Sequence, residues 1–237
     1  MKLTERFNPF RADADPLSAY LADFRIEVDY FTHWPQQDFK TLQNLVSTRI
    51  KLVLQTQGRA DLTAQNEHFL LAPGSVMFIP PYCVYSASTF DQVDSYEVFF
   101  NLHPYAREHG FLQQFGFTRI LHFPQILTPA DTADLMSCYE DVRACRPGCY
   151  AQLRALLHLL LIRLIRLQNT PALPAENSSR EQYVISRLFE YLEAHLNQPV
   201  HVDRLCAALH VSQSHLYRCS RHVMNCSTQQ LVIRYNL

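Results

Sequence analysis

The sequence predicts an α+β fold in which a β-barrel is followed by a helical pair and then by a small all-α domain. Apolar and polar residues alternate with a period of two between about residues 24 and 103, which is typical of strands. The period is helical from about residue 128 to 168 and again from Tyr183. Many short strands separated by turn residues favour a barrel or a sandwich for the first part.

The composition is that of an ordinary folded chain. The 237 residues suit two modest domains, and 48% hydrophobic residues supply apolar material for their cores. The net charge is −1, but residues 180–237 contain six basic and four acidic side chains and five of the eleven histidines, so only this part favours a polyanion. The chain begins with charged residues, contains no long apolar run and has an odd number of cysteines, seven. These features predict a cytoplasmic protein without disulfides or membrane spans.

The strands of the first block show clear alternation. The apolar positions are Ile26, Val28 and Tyr30; Ile50, Leu52 and Leu54 around Lys51; and Tyr96, Val98, Phe100 and Leu102. Gly58 and Gly74 predict turns. Pro80 and Pro81 end the strand from Val76 to Ile79, because proline has no N–H to donate to a sheet.

Two helices follow between residues 128 and 168. The first begins with Thr128 as a cap, Pro129 at the first position and Asp131 three residues after the cap. It has an apolar stripe of Leu135, Cys138, Tyr139 and Val142. The second runs from about Tyr150 to Gln168.

The second helix has apolar residues on both sides. Its broad core face consists of Leu153, Leu156, Leu157, Leu160, Leu161, Leu164 and Leu167. The opposite half combines arginines with Leu159, Ile162 and Ile165. These three residues predict a dimerisation surface, and the alternative is that the preceding helix covers them.

Residues 169–179 predict a linker, and a helix-turn-helix follows it. After a first amphipathic helix, a short helix spans Val202–Leu209, and Ser212 caps a third helix from Gln213 to about Val223. Leu216 and Cys219 or Ser220 are the predicted inward anchors. The outward residues are Gln213, Ser214, His215, Tyr217, Arg218 and Arg221, whose side chains can bond bases or phosphates. A solvated face of a small helical domain is the alternative.

The run from Val200 to Arg218 resembles the first helix-turn-helix of the AraC/XylS family of bacterial transcription regulators. The matching features are the Leu205/Ala207 helix, the Leu-His-Val-Ser turn, and Leu216 with Arg218, and the resemblance covers residues 188–234. It implies that Ser214, Tyr217 and Arg218 face bases, with Gln213 and Arg221 toward the DNA backbone.

The chain departs from the family pattern at several points. Ser220 stands where the family has phenylalanine, Asn225 replaces a glycine, and the tyrosine that usually follows Ser227 is replaced near Leu231. Replacing a buried aromatic ring by a hydroxyl would loosen the packing unless another group compensates. The second helix-turn-helix of the family does not follow before Leu237, which leaves open a shortened natural product or a fragment.

The family resemblance implies a cupin-like barrel that binds a small effector, and Leu70–Pro81 looks like the second cupin motif. A metal site is not expected, because no His-x-His occurs in the barrel and His33, His68 and His103 are scattered. Tyr85 stands near the place of the motif's late histidine. The predicted effector-lining residues are Tyr30, His33, Trp34 and Tyr85. No cofactor and no catalysis are predicted.

The sequence therefore predicts a homodimeric transcription regulator that binds DNA and an unknown small effector. The predicted domains are the cupin-like barrel at 1–127, the helical pair at 128–168, the linker at 169–179 and an incomplete AraC-type helix-turn-helix domain at 180–237. One alternative is a regulator that has lost DNA binding and acts by protein contact in mixed dimers. A cupin enzyme with a helical appendage is a further alternative, and it would need a metal set that the barrel sequence does not supply.

Overall fold

The computed structural model describes residues 24–37, 41–64, 67–81, 83–168 and 200–224, residues 17 and 21, and parts of 184–195 and 227–232. The predicted linker at 169–179 lies outside the described residues, as do Asn225 and Leu231. No helix in the described ranges has the length and apolar character needed to cross a bilayer.

Within the described residues, nine strands form two antiparallel sheets. They are β1 (Arg25–Gln37), β2 (Leu42–Val46), β3 (Ile50–Gln57), β4 (Ala60–Ala64), β5 (Glu67–Leu71), β6 (Val76–Ile79), β7 (Val84–Thr89), β8 (Val93–His103) and β9 (Leu121–Phe123). The strand order is β1-β8-β3-β6-β9 in the first sheet and β2-β7-β4-β5 in the second. The predicted cupin-like barrel and the α+β fold are confirmed.

Five helices complete the described elements. They are α1 (Tyr105–Gln114), α2 (Pro129–Arg143), α3 (Cys149–Leu167), α4 (Val202–Leu209) and α5 (Gln213–Met224). The predicted start of α2 is confirmed, because Thr128 and Asp131 form a reciprocal capping box. Arg163 of α3 adds hydrogen bonds of 2.8 and 3.0 Å to the two carboxylate oxygens of Asp131 and so joins the two helices.

The first sheet is covered on both faces. One face packs against α1, α2 and α3 in a large apolar core that includes Ile50, Leu52 and Leu54 of β3. The other face turns toward the second sheet and a smaller cluster that includes Val53 and Met77. The predicted alternation along β3 is confirmed, but the side facing away from the helices is buried too.

A β-bulge in β1 changes the predicted direction of Tyr30. Val28 pairs with Phe100 and Tyr30 pairs with Phe99, so Asp29 is an extra residue in the ladder. An extra residue moves every later side chain to the opposite face. Tyr30 is therefore 64% exposed instead of continuing the apolar row of Ile26.

The two faces of α3 also differ from the prediction at their ends. Leu167 is exposed, whereas Ile165 belongs to the core with only 5% of its surface exposed. Two steps of three residues turn by about 600°, so Ile165 lies closer to the core face than Leu159 does. Ile162 packs partly against the core, and Leu159 is 68% exposed. The assignment of Ile165 to an exposed dimerisation surface is therefore wrong.

The C-terminal unit has its own apolar core. It combines helical residues between 184 and 192 with α4, α5 and Val232. Leu205 and Cys206 of α4 contribute to this core, as the sequence predicts.

Candidate effector cavity and DNA-contact helix

A tight turn joins α4 to α5. His210 adopts a left-handed conformation with φ 55°, and its N–H donates to the carbonyl of Ala207. The N–H of Val211 donates to the carbonyl of Cys206, so the end of α4 has the hydrogen bonds of a Schellman motif. The Ser212 hydroxyl then accepts the N–H of His215 at 3.1 Å, which confirms Ser212 as the cap of α5.

The inner side of α5 is fixed by three side chains without exposed surface, Leu216, Cys219 and Ser220. The hydroxyl of Ser220 lies 3.0 Å from the hydroxyl of Thr228, which is also buried. This hydrogen bond satisfies the hydrogen-bonding capacity of the buried Ser220 hydroxyl. The inner side of the helix is therefore anchored without a large aromatic side chain at this position.

The outer side of α5 presents the five predicted DNA contacts. Gln213, Ser214, Tyr217, Arg218 and Arg221 are all exposed and lie within an arc of about 140° at 100° per residue. Three hydroxyl or amide groups and two guanidinium groups thus point from one side of a rigid helix. Such groups can bond base edges or phosphate oxygens.

Contacts within the unit hold several of these side chains. Gln213 donates to the carboxylate of Asp203 on α4. The Nε of Arg221 donates to the Tyr217 hydroxyl at 3.1 Å, and the guanidinium lies 5.6 Å from the ring centre. An Arg218 nitrogen lies 3.0 Å from Nδ1 of His215. The face is therefore partly ordered, which reduces the entropy lost on binding.

A cavity of about 290 Å³ lies between the two sheets. Its lining is mainly apolar and includes Leu62, Leu71 and Phe99. Of the four predicted effector residues, Trp34 and Tyr85 line it and Tyr30 and His33 do not. Trp34 is 39% exposed whereas Tyr85 is buried, so the two residues lie at different depths.

His33 lies on the helix-facing side of β1 because the bulge alters the register. Its ring stacks on Tyr96 with centroids 4.3 Å apart, and Nε2 is 3.1 Å from the carboxylate of Asp94. Tyr30 packs edge-on against Phe99 at 6.1 Å. Both residues are thus placed away from the cavity lining, and their predicted effector role is not supported by position.

The cavity contains an ion pair between a buried lysine and a partly buried glutamate, which the sequence does not predict. Nζ of Lys51 is 2.8 Å from Oε1 of Glu97 and 2.9 Å from the hydroxyl of Tyr85. Burial by itself would lower the pKa of Lys51, but the Glu97 carboxylate and Tyr85 outweigh it, so the pKa is raised and the ammonium stays charged. The sequence feature that could have indicated this ion pair is the lysine in the middle of the apolar run of β3.

The histidines considered for a metal lie on different strands. His33, His68 and His103 belong to β1, β5 and β8. His68 is exposed and lies 3.4 Å from the carboxylate of Asp61. Within the described ranges, no three His, Cys, Asp or Glu side chains form a group that could hold a metal ion.

No family model and no curated protein matches the sequence. Solved structures of ToxT from Vibrio cholerae are similar in fold. A ligand-free ToxT variant gives a TM-score of 0.58 at 9% identity, covering 90% of this chain and 79% of that chain. ToxT with a bound unsaturated fatty acid gives a TM-score of 0.56 at 9% identity, covering 88% of this chain and 79% of that chain. ToxT bound to a methylnaphthalenyl butenoic acid gives a TM-score of 0.55 at 13% identity, covering 90% of this chain and 80% of that chain.

These similarities establish a common fold, which includes the barrel and the helical part because nine-tenths of the chain is covered. The AraC-like transcriptional activator CuxR also aligns over 91% of this chain and 76% of its own, at 14% identity and a TM-score of 0.43.

Proposed function

We propose that this protein is a DNA-binding transcription regulator whose DNA affinity depends on a small molecule bound between the two sheets. The observation that supports DNA binding most strongly is the α4–turn–α5 unit. It combines a capped, internally anchored helix with an outer face of donors, as a major-groove recognition helix requires. Its resemblance to the AraC/XylS pattern agrees with the fold shared with ToxT.

Within this proposal, Arg218 and Tyr217 contact bases together with Ser214. Arg218 lies at one end of the exposed arc, and its guanidinium can pair with the two acceptors of guanine. Gln213 lies at the other end of the arc and Arg221 lies near its middle, and both contact phosphates. Arg221 is held against the Tyr217 ring, so the two residues approach DNA as a unit.

The barrel supplies the effector site in this proposal. Ligand cavities are mostly apolar with a few placed polar groups, and the cavity between the sheets has that composition. ToxT, which has the same fold, has been solved with a fatty acid bound. A ligand changes DNA affinity only if it binds the DNA-competent state with a different affinity from the other state.

Association of two chains through α3 completes the proposal. Two helix-turn-helix units on one DNA site raise the apparent affinity, because the second contact becomes intramolecular. Leu159 is the exposed residue of the predicted surface, and Ile162 lies at its edge. Ile165 is left out because it is buried.

The test is a salt titration of binding to a labelled fragment from upstream of the protein's own gene and to scrambled DNA. Arg218→Ala should reduce the preference for the promoter by the equivalent of about 1–3 kcal/mol. Arg221→Ala should weaken both complexes equally and lower the salt slope by about one. Arg59→Ala, which removes an exposed arginine of the barrel, is the matched control and should change neither.

Equal affinity for both DNAs, unchanged by Arg218→Ala, would contradict DNA reading by α5. That result would favour the alternative in which the protein acts through contacts with other proteins.

A further inference from the structure

We infer that the cavity between the sheets binds an uncharged, mainly apolar molecule that donates a hydrogen bond, such as an aliphatic alcohol or a phenol, and that it discriminates against carboxylates. This inference rests on the proposed function, because it names the chemical class of the effector.

The charges of the cavity disfavour an anion. The charged lining residues are Lys51, Glu97 and Asp61, so one positive group is accompanied by two negative ones. The Lys51 ammonium already binds Glu97 and the Tyr85 hydroxyl. A carboxylate would lose its hydration on entry without gaining an unpaired cation, and this desolvation is costly. Among the described lining residues, nothing supplies a second positive charge.

The carboxylate and amide oxygens of the cavity lining can accept hydrogen bonds from a ligand. Oε1 of Glu97 lies 2.8 Å from the Lys51 ammonium, and Oε2 is a second acceptor of the same carboxylate. The amide nitrogen of Gln55 donates to the carbonyl of Gln57 at 2.6 Å, which leaves its amide oxygen as an acceptor. Gln55 lines the cavity and is almost fully buried. A ligand hydroxyl can donate to such an oxygen, whereas an ionised carboxylate has no proton to donate.

The volume sets an approximate size for the ligand. A cavity of about 150 Å³ with apolar walls holds one benzene molecule. The present cavity of about 290 Å³ therefore suits about twelve non-hydrogen atoms. Val53, Leu62 and Val93 surround this space with apolar surface, which fits an alkyl chain or two fused rings.

Trp34 provides a reporter inside the site. It is the single tryptophan of the chain and it lines the cavity. We would titrate the full-length protein with 1-decanol and with decanoate at neutral pH, following Trp34 emission and the melting temperature. The two probes have nearly the same length and differ in the head group. The inference predicts that 1-decanol binds at least about tenfold more tightly.

Exchange of one charge should reverse the preference. Glu97→Gln keeps the shape and an acceptor for Lys51 but leaves the ammonium without its counter-charge. Decanoate should then bind about tenfold more tightly than it binds the unmodified protein, and 1-decanol should gain nothing. Asp61 is the less buried of the two acidic residues in the lining, and Asp61→Asn should also strengthen decanoate binding. This second variant tests the same prediction if Glu97→Gln does not fold. Asp91→Asn, outside the lining, is the control and should change neither affinity.

The outcomes separate the inference from the proposed function. If decanoate binds the unmodified protein as tightly as 1-decanol, the inference is overturned and the effector cavity stands. If neither probe changes Trp34 emission or the melting temperature, both the inference and the effector role of the cavity fail. DNA binding is measured independently and is not affected by either result.

Discussion

The two faces of β3 differ in what burial achieves. Ile50, Leu52 and Leu54 have no exposed surface and pack tightly beneath the helices. On the other face, Lys51 and Gln55 are also buried, yet they border a cavity. Polar side chains need hydrogen-bond partners at fixed positions, and apolar side chains can interdigitate freely. The difference shows that burial alone does not distinguish a packed core from the lining of a cavity.

The largest effect on stability is expected from separating the largely buried ion pair of Lys51 and Glu97. Lys51→Met leaves the Glu97 carboxylate without its partner in an apolar space, and we expect a loss of about 3–5 kcal/mol in the free energy of unfolding. Adding Glu97→Leu removes the unpaired charge and should restore part of that loss. Urea denaturation measures both. Strictly additive losses would show that the two side chains do not interact.

Shortening a side chain should lower the free energy of unfolding by different amounts on the two faces of β3. Leu52→Ala opens a void in a packed core and should cost about 2–5 kcal/mol. Val53→Ala, on the next residue, enlarges a cavity that already exists and should cost about 1 kcal/mol. The measurement is the midpoint of urea denaturation, compared between variants whose free energy of unfolding depends on urea with the same slope. Equal costs would mean that the cavity face is as tightly packed as the core face.

The helices that cover the core face are held at one end by Asp131. The hydrogen bond from Arg163 is the main reason that the pKa of Asp131 is lowered from 3.8 to about 2. Because the folded pKa lies below the unfolded one, this contribution is complete above pH 3.8 and disappears as the pH falls toward 2. Asp131→Asn should cost about 1 kcal/mol at neutral pH.

The check on Asp131 is the difference in stability between the two proteins across the acid range. This difference in the free energy of unfolding should shrink as the pH falls from 3.8 toward 2. A difference that stays constant would place the effect elsewhere than in the charge of Asp131.

The smallest effect on folding is expected at the outer side of α3. Leu159→Glu changes a side chain that is 68% exposed, so stability should change by about 0.5 kcal/mol or less. If two chains associate there, sedimentation should show a folded monomer. Ile165→Glu places a charge where only 5% of the residue is exposed and should unfold the helical pair. An unmodified protein that is already monomeric at tens of micromolar would contradict the association surface.

Local features were predictable from the sequence. Thr128 and Ser212 cap their helices as expected, because capping depends on a few adjacent residues. Buried anchors at Leu216 and Cys219 also follow from spacing alone. The α+β fold class follows from the change of period.

The cavity could not be predicted in the same way. The bulge at Asp29 redirects Tyr30 and His33, and nothing in the alternation of β1 indicates an extra residue. Lys51 and Glu97 are 46 positions apart and meet through the pairing of β3 with β8, in which Val53 is opposite Glu97. Such a contact depends on strand register, which a single sequence leaves open.

We propose that the cavity and α5 act together. The most direct measurement is the affinity of the full chain for labelled promoter DNA with and without saturating 1-decanol, together with the affinity for 1-decanol with and without DNA. Linkage requires both ratios to be equal, and we expect a change of about 5–150-fold. Arg218→Ala should weaken promoter binding while leaving the response of Trp34 to 1-decanol in the free protein unchanged. Promoter affinity that is identical at all 1-decanol concentrations, although the cavity is occupied, would contradict the account.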